Sequence, residues 1–291
     1  MKISRVTFIL VAILFQLQAL SQLSAGGVSL SYYAGMINYH GDLNPHSFTF
    51  SQANFAMGLV IRKPITSWLA VRGGAFTGKV DAADRNNRDY LKPRNLSFIS
   101  TIHEIHAGLE ISLTNLARSR ITPYIYGSIA VFNFNPWTYD NSGKKTFLKP
   151  LSTEGQGLSQ YPSQKEYSLT QWSIPFGGGF KIEVNDQLRI GLEFSQRKTF
   201  TDYLDDVSSF FVDEDVLLQE RGPKAVEIAY RGDELPGGNP YPPHGEQRGT
   251  PTEMDWYYFF GTTFELDFNS LLDLFSSNGK NGNYGCPRHF K

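Results

Sequence analysis

The sequence predicts an all-β protein, an eight-stranded antiparallel transmembrane β-barrel of outer-membrane type with long extracellular loops. Three observations carry this: an export-type N-terminus, long runs in which apolar and polar residues alternate, and connections that alternate between short and long.

The N-terminus comes first. Lys2 and Arg5 form a positive n-region, Val6 to Phe15 an apolar h-region, and Ala19-Leu20-Ser21 a small-residue cleavage site, so residues 1–21 read as a signal peptide. Gln16 and Gln18 break the apolar run well short of the roughly 20 residues a spanning helix needs. No Cys lies near the cleavage site, which excludes lipoprotein processing. No later stretch is apolar enough for a transmembrane helix, so a membrane location has to be reached with strands. A formal charge of −1, with both signs interspersed, excludes a nucleic-acid surface. Aromatics at 14% and 27 glycines suit rings at membrane interfaces and strands that bend and close.

The strands follow in order. Val28 to Tyr39, Ala53 to Arg62 and Trp68 to Lys79 are the first three, although Trp68 shares parity with Arg72, which implies a bulge or a shifted phase. In the fourth, Ile99, Ile105, Ala107, Leu109, Ile111 and Leu113 oppose Ser100, Glu104, His106, Gly108, Glu110 and Ser112, because successive side chains point to opposite faces. The fifth, Ile121 to Phe134, carries apolar residues on both parities, and its faces stay unassigned. In the sixth, Trp172, Ile174, Phe176, Phe180, Ile182 and Val184 oppose Ser173, Gly177, Gly179, Lys181 and Glu183. In the seventh, Ile190, Leu192 and Phe194 oppose Arg189, Gly191, Glu193, Ser195 and Arg197. In the last, Trp256, Tyr258, Phe260, Thr262, Phe264, Leu266 and Phe268 oppose Asp255, Gly261, Thr263, Glu265 and Asp267.

Short turns at Lys63 to Ser67, Asn115 to Arg120 and Asn185-Asp186 alternate with long connections at His40 to Gln52, Val80 to Asn95, Asn135 to Ser168 and Thr201 to Thr252. Outer-membrane barrels have short periplasmic turns and long extracellular loops. Residues 22–268 then form the barrel, and residues 269–291 a periplasmic C-terminal tail. The competing fold is a soluble β-barrel or sandwich with the apolar face turned inward. Runs such as Trp172 to Val184 exceed the roughly 5–6 residues usual in globular strands.

An eight-stranded lumen is just wide enough to be filled by side chains. The inward charges Glu104, His106, Glu110, Lys181, Glu183, Arg189, Glu193, Arg197, Asp255 and Glu265 are mixed in sign and read as a structural network, with a proton or ion path as the alternative. The six His do not cluster, so no metal site is expected, nor any cofactor. His103 faces outward without a Ser or acid nearby on its face, so a lipid-modifying enzyme has little to stand on and no catalytic residue is assigned. Cys286 is the one cysteine, either a free thiol in the tail or a disulfide to a periplasmic partner. The fourth long loop combines a helix around Asp213 to Tyr230 with the Pro-rich run Glu234 to Pro243. Asp202, Asp205 and Asp206 could hold backbone amides or a divalent cation, although no calcium-loop spacing is present.

Six strings carry a more specific signal: Tyr39-His40-Gly41-Asp42-Leu43, Arg94-Asn95-Leu96-Ser97-Phe98 with Glu104 behind it, Phe132-Asn133-Phe134-Asn135-Pro136, Leu148 to Gly157, Pro175-Phe176-Gly177-Gly178-Gly179, and Thr201 to Ser208. In this order, over about Ser29 to Phe268, they resemble the PorG-type outer-membrane β-barrel family of the Bacteroidetes type IX secretion system. The resemblance implies a non-enzymatic barrel of OmpA-like size in a protein transport machinery linked in some members to gliding motility. It also implies association with a periplasmic ring of a PorK/GldK-type lipoprotein and a PorN/GldN-type protein, with Cys286 a hypothetical partner contact. The alternative is a surface-exposed ligand-binding or adhesive OmpA-like barrel outside the secretion system.

Overall fold

The computed structural model describes residues 27–46, 49–114, 120–185 and 187–268. The expected signal peptide, the tail at 269–291 and Cys286 lie outside the described residues.

Ten strands form one sheet: β1 (Ser29–His40), β2 (Asn54–Pro64), β3 (Leu69–Ala83), β4 (Ser97–Ser112), β5 (Ile121–Asn133), β6 (Trp137–Tyr139), β7 (Lys145–Phe147), β8 (Thr170–Glu183), β9 (Leu188–Thr199) and β10 (Trp256–Asp267). The three-residue strands β6 and β7 make a small hairpin inside the third long loop, held to β4 through the pair Ile99–Trp137. The other eight pair antiparallel with their neighbours, and β10 pairs with β1 from Ser29–Asp267 to His40–Trp256, which closes the barrel. Antiparallel succession places the short connections at one end (the turn end) and the long loops 41–53, 84–96, 134–169 and 200–255 at the other (the loop end).

The period-2 reading of β4, β8, β9 and β10 matches the observed faces. The outer wall carries Leu59, Val71, Leu109, Ile125, Ile174 and Phe264, with Ile105, Ile129 and Trp172 at 72, 64 and 60% exposed, while Arg62, Arg72, Glu104, Glu110, Lys181, Glu193, Arg197 and Glu265 are buried inside. A soluble barrel would invert this arrangement, and the wall as built suits a hydrocarbon surround.

Three features differ from the sequence reading. β3 starts at Leu69, so Trp68 belongs to the turn, and the parity conflict with Arg72 disappears without a bulge. In β5, Tyr124, Tyr126 and Phe132 turn inward while Ile125 and Ile129 face out. The expected helix is two short helices, α1 (Glu214–Arg221) and α2 (Pro223–Ala229), broken at Gly222, whose φ of 84° precedes the Pro.

Candidate functional site: a filled lumen under a folded cap

The lumen is stacked in levels. At the turn end, Lys181 Nζ lies 2.8 Å from both Glu110 and Glu265, Arg62 Nε donates to Glu110 at 2.7 Å, and Arg189 reaches Glu265 at 3.1 Å. Arg189 also approaches Glu183 at 3.8 Å, where both side chains are partly open to solvent. One level in, the Arg72 guanidinium lies 3.3 Å from Glu193 and 3.5 Å from Glu110, and donates to Tyr33 at 3.2 Å. Its carbon sits 3.6 Å from the Tyr126 ring centroid, a stacked cation–π contact. Tyr124 and Tyr126 donate to Glu193 at 2.9 and 3.1 Å. These two hydroxyls explain the inward face of β5: each ring fills space and its OH meets a carboxylate. Gly179 pairs with Tyr124, and a Cβ there would fall on the Leu192 carbonyl and 3.0 Å from the Tyr124 hydroxyl, so the close approach requires glycine.

The next level joins Arg197 to Glu104 at 3.4 Å, with His106 at 3.0 Å and the Tyr257 hydroxyl at 2.6 Å on the same carboxylate. Above it Phe76, Phe98, Phe132, Phe134 and Phe259 form an aromatic plug continuous with Leu43, Leu148, Leu204 and Val207 of the loops. Arg72 is 1% exposed, Glu104 2% and Tyr257 0%. A water-filled channel would leave these side chains accessible, so the lumen is closed. Five cations (Arg62, Arg72, Lys181, Arg189, Arg197) face five carboxylates (Glu104, Glu110, Glu183, Glu193, Glu265), the balance a low-dielectric interior demands.

Asp255 departs from the expectation that it joins this network. It sits past the aromatic plug, where the Tyr39 hydroxyl lies 2.8 Å from its Oδ1 and the Leu204 amide donates to its Oδ2 at 2.8 Å. It lies immediately before β10, so its parity was read correctly but its depth placed it among loop residues. Arg62, Arg72, Tyr33, Tyr124, Tyr126 and Tyr257 are network members that the sequence reading did not select. Arg62 and Arg72 carried a usable signal, since charges on otherwise apolar strands point inward. The tyrosines gave none, because an aromatic ring suits either face. His103 stays on the outer wall, with Thr77 Oγ1 3.0 Å from its Nδ1.

The loop end is covered by a cap with its own polar core. Glu154 accepts from the amides of Ser208 and Ser209 at 2.9 and 3.0 Å, from Ser209 Oγ at 2.7 Å, and from Arg248 at 2.8 Å. Asp206, at φ 67°, accepts from Thr153 and Tyr167, each at 2.6 Å. Arg94 pairs with Asp84 at 2.7 Å and donates to the Arg248 carbonyl, which ties the second loop to the fourth. The Thr250 amide donates to Asp42 at 3.0 Å, tying in the first.

Beneath the cap lies an acidic floor. The Tyr39 hydroxyl is 2.6 Å from Asp205 Oδ2 and 2.8 Å from Asp255 Oδ1. One hydroxyl proton serves one of these contacts; the other requires a proton on a carboxyl, so the pair Asp205 and Asp255 holds one. Burial and neighbouring acids push both of their affinities up. Burial, with Asp205, Asp42 and Glu154 nearby, raises Asp202 to about 9, and burial raises Asp206 to about 6 against the pull of Arg248. Among the described residues no three His, Cys, Asp or Glu side chains are placed to hold a metal.

Residues 4–216 match the model of a domain of unknown function, DUF6089. The chain belongs to this family. The match ends inside α1, so it takes in seven of the eight wall strands and the third loop; β10, which closes the barrel, and Arg248 and Asp255 of the cap follow it. No curated protein matches the sequence. Solved structures with some similarity are Neisserial surface protein A, 9% identical over 84% of this chain and 98% of that one with a TM-score of 0.44, and Ail, the attachment invasion locus protein of Yersinia pestis, 8% identical over 83% and 99% with a TM-score of 0.38. The N-terminal β-barrel domain of Pseudomonas aeruginosa OprF is 10% identical over 83% and 98%, with a TM-score of 0.34.

Proposed function

We propose that this protein is a non-enzymatic outer-membrane barrel that serves as a fixed platform in the type IX secretion system and passes nothing through its own lumen. The observation that carries the platform reading is the filled lumen: charges balanced across the barrel, an aromatic plug above them, and a hydrogen-bonded cap over the plug. The apolar outer wall and the export-type N-terminus favour integral residence in the outer membrane, with the cap outside and the turn end toward the periplasm. On this reading the turn end and the tail with Cys286 meet the ring of PorK/GldK-type lipoprotein and PorN/GldN-type protein.

The secretion assignment rests on the resemblance. Residues of several strings that carry it meet at the cap, although they lie far apart in the chain: Tyr39 and Asp42, Arg94, Glu154, and Asp202 to Ser208. Those strings therefore correspond to one spatial unit, which is what a shared architecture would leave in the sequence. A clean gene deletion is expected to abolish export of cargo carrying the system's C-terminal signal, and cysteine crosslinking from the tail in intact cells to recover the ring lipoprotein. Normal export in the deletion strain would sink the assignment.

A further inference from the structure

The cap carries a cleft on its outer surface that the platform role does not use. It has a volume of about 710 Å³, between Tyr90 and Pro93 of the second loop and the run Asn239 to Pro243 of the fourth, a size typical of small-molecule sites. Its floor is aromatic and locked: Phe211, Tyr230 and Tyr241 pack edge to face, with centroids 5.7, 5.8 and 6.1 Å apart. Tyr90 stands opposite, 69% exposed, its hydroxyl held by Arg88 at 3.2 Å. Pro93, Pro240, Pro242 and Pro243 stiffen the walls, so little conformational freedom is lost when the cleft fills.

The polar groups narrow the ligand. Both arginines of the lining are already engaged, Arg94 with Asp84 and Arg248 with Glu154, so neither is free for a phosphate or sulfate. Exposed polar side chains of the lining include the Asn239 amide, the Glu246 carboxylate and the Gln247 amide oxygen, with Gln247 Nε2 donating to the Gly249 carbonyl. No β-strand of the barrel lines the cleft, which removes strand addition as a way to hold a peptide. Phe211 and Tyr230 are buried beneath the cleft, and the exposed ring of Tyr90 with the half-buried ring of Tyr241 supplies its open aromatic surface; such rings beside planar amide and carboxylate groups suit a sugar, whose C–H faces lie on the rings and whose hydroxyls both donate and accept. We infer that this cleft binds a short neutral oligosaccharide.

The test uses the full-length protein folded in lauryldimethylamine oxide, because a maltoside detergent would itself compete. Maltohexaose, cellohexaose and mannohexaose are titrated by calorimetry and followed by saturation-transfer NMR, with dextran sulfate as the anionic comparison. At least one neutral oligosaccharide is expected to bind, and Tyr90→Ala and Glu246→Ala each to weaken it roughly tenfold, a loss of about 1.4 kcal/mol. Both side chains are solvent-exposed, and heat-modifiable gel migration verifies that the variants fold. The inference is overturned by absence of binding to all three neutral sugars, by tighter binding of dextran sulfate, or by unchanged affinity in both variants. The readout involves neither secretion nor the ring, so its failure is separable from failure of the platform reading.

Discussion

Replacing Arg72 by Met takes one charge from the centre of the lumen while keeping a flexible side chain of similar volume. The wild-type guanidinium touches Glu193 at 3.3 Å, Glu110 at 3.5 Å and Tyr33 at 3.2 Å, and stacks on Tyr126. After the change four cations face five carboxylates. Glu110 keeps Lys181 and Arg62, so its loss is small, whereas Glu193 keeps only the neutral donors Tyr124 and Tyr126. Breaking a buried pair by removing one partner costs about 3–5 kcal/mol. The two tyrosine hydroxyls put Arg72→Met at the low end, at about 3 kcal/mol. The double variant Arg72→Met/Glu193→Gln restores equal numbers of each sign, and is expected to recover at least ~1.5 kcal/mol of that loss, because no charge is left unpaired. Urea unfolding in lipid vesicles, read by tryptophan fluorescence and by heat-modifiable migration, measures both. A loss below ~1 kcal/mol for the single variant, or a double variant less stable than the single, would refute the view that charge balance holds the lumen together.

Three further outcomes follow from the same geometry. Asp202 keeps in the folded cap, up to about pH 9, a proton that the unfolded chain releases near pH 4, so cap stability should fall as pH rises between those values; protease half-life of the fourth loop should shorten across that range, and Asp202→Asn should flatten the trend. A half-life that is constant or lengthens with pH would contradict this. Glu154→Gln removes the charge facing Arg248 and turns an acceptor oxygen into a donor against donors; a loss of about 2–4 kcal/mol confined to the cap should appear as faster hydrogen exchange at Ser208 and Ser209, with the wall amides unchanged. In planar bilayers the wild type should carry no steady current, and discrete ion-conducting steps would count against a closed lumen.

How far the fold could be read from the chain depends on how local each signal is. Gly261, Thr263 and Glu265 face inward in β10 because the pleat puts every second residue on one side, whatever its partner. The end to which each connection belongs follows equally simply from antiparallel succession. Tyr124 and Tyr126 resisted the same rule, since a ring with a hydroxyl is at home against lipid or beside Glu193, and only the partner decides. The acidic floor resisted for a different reason: Asp202, Asp205 and Asp255 read as loop or strand-end acids, and their raised proton affinity comes from burial under segments far away in the chain.

By itself, then, the sequence determined that the chain forms long two-faced strands, that the polar face carries charges of both signs, and that long loops gather at one end. Those are properties of residue order within a strand or between neighbours. The tertiary structure decided which charges meet and what covers them: Arg72 finds Glu193 across 121 residues, and Arg248 finds Glu154 across 94. Barrel closure and loop folding set these pairings, because register around the ring fixes depth in the lumen, and depth fixes which side chains share a low-dielectric level.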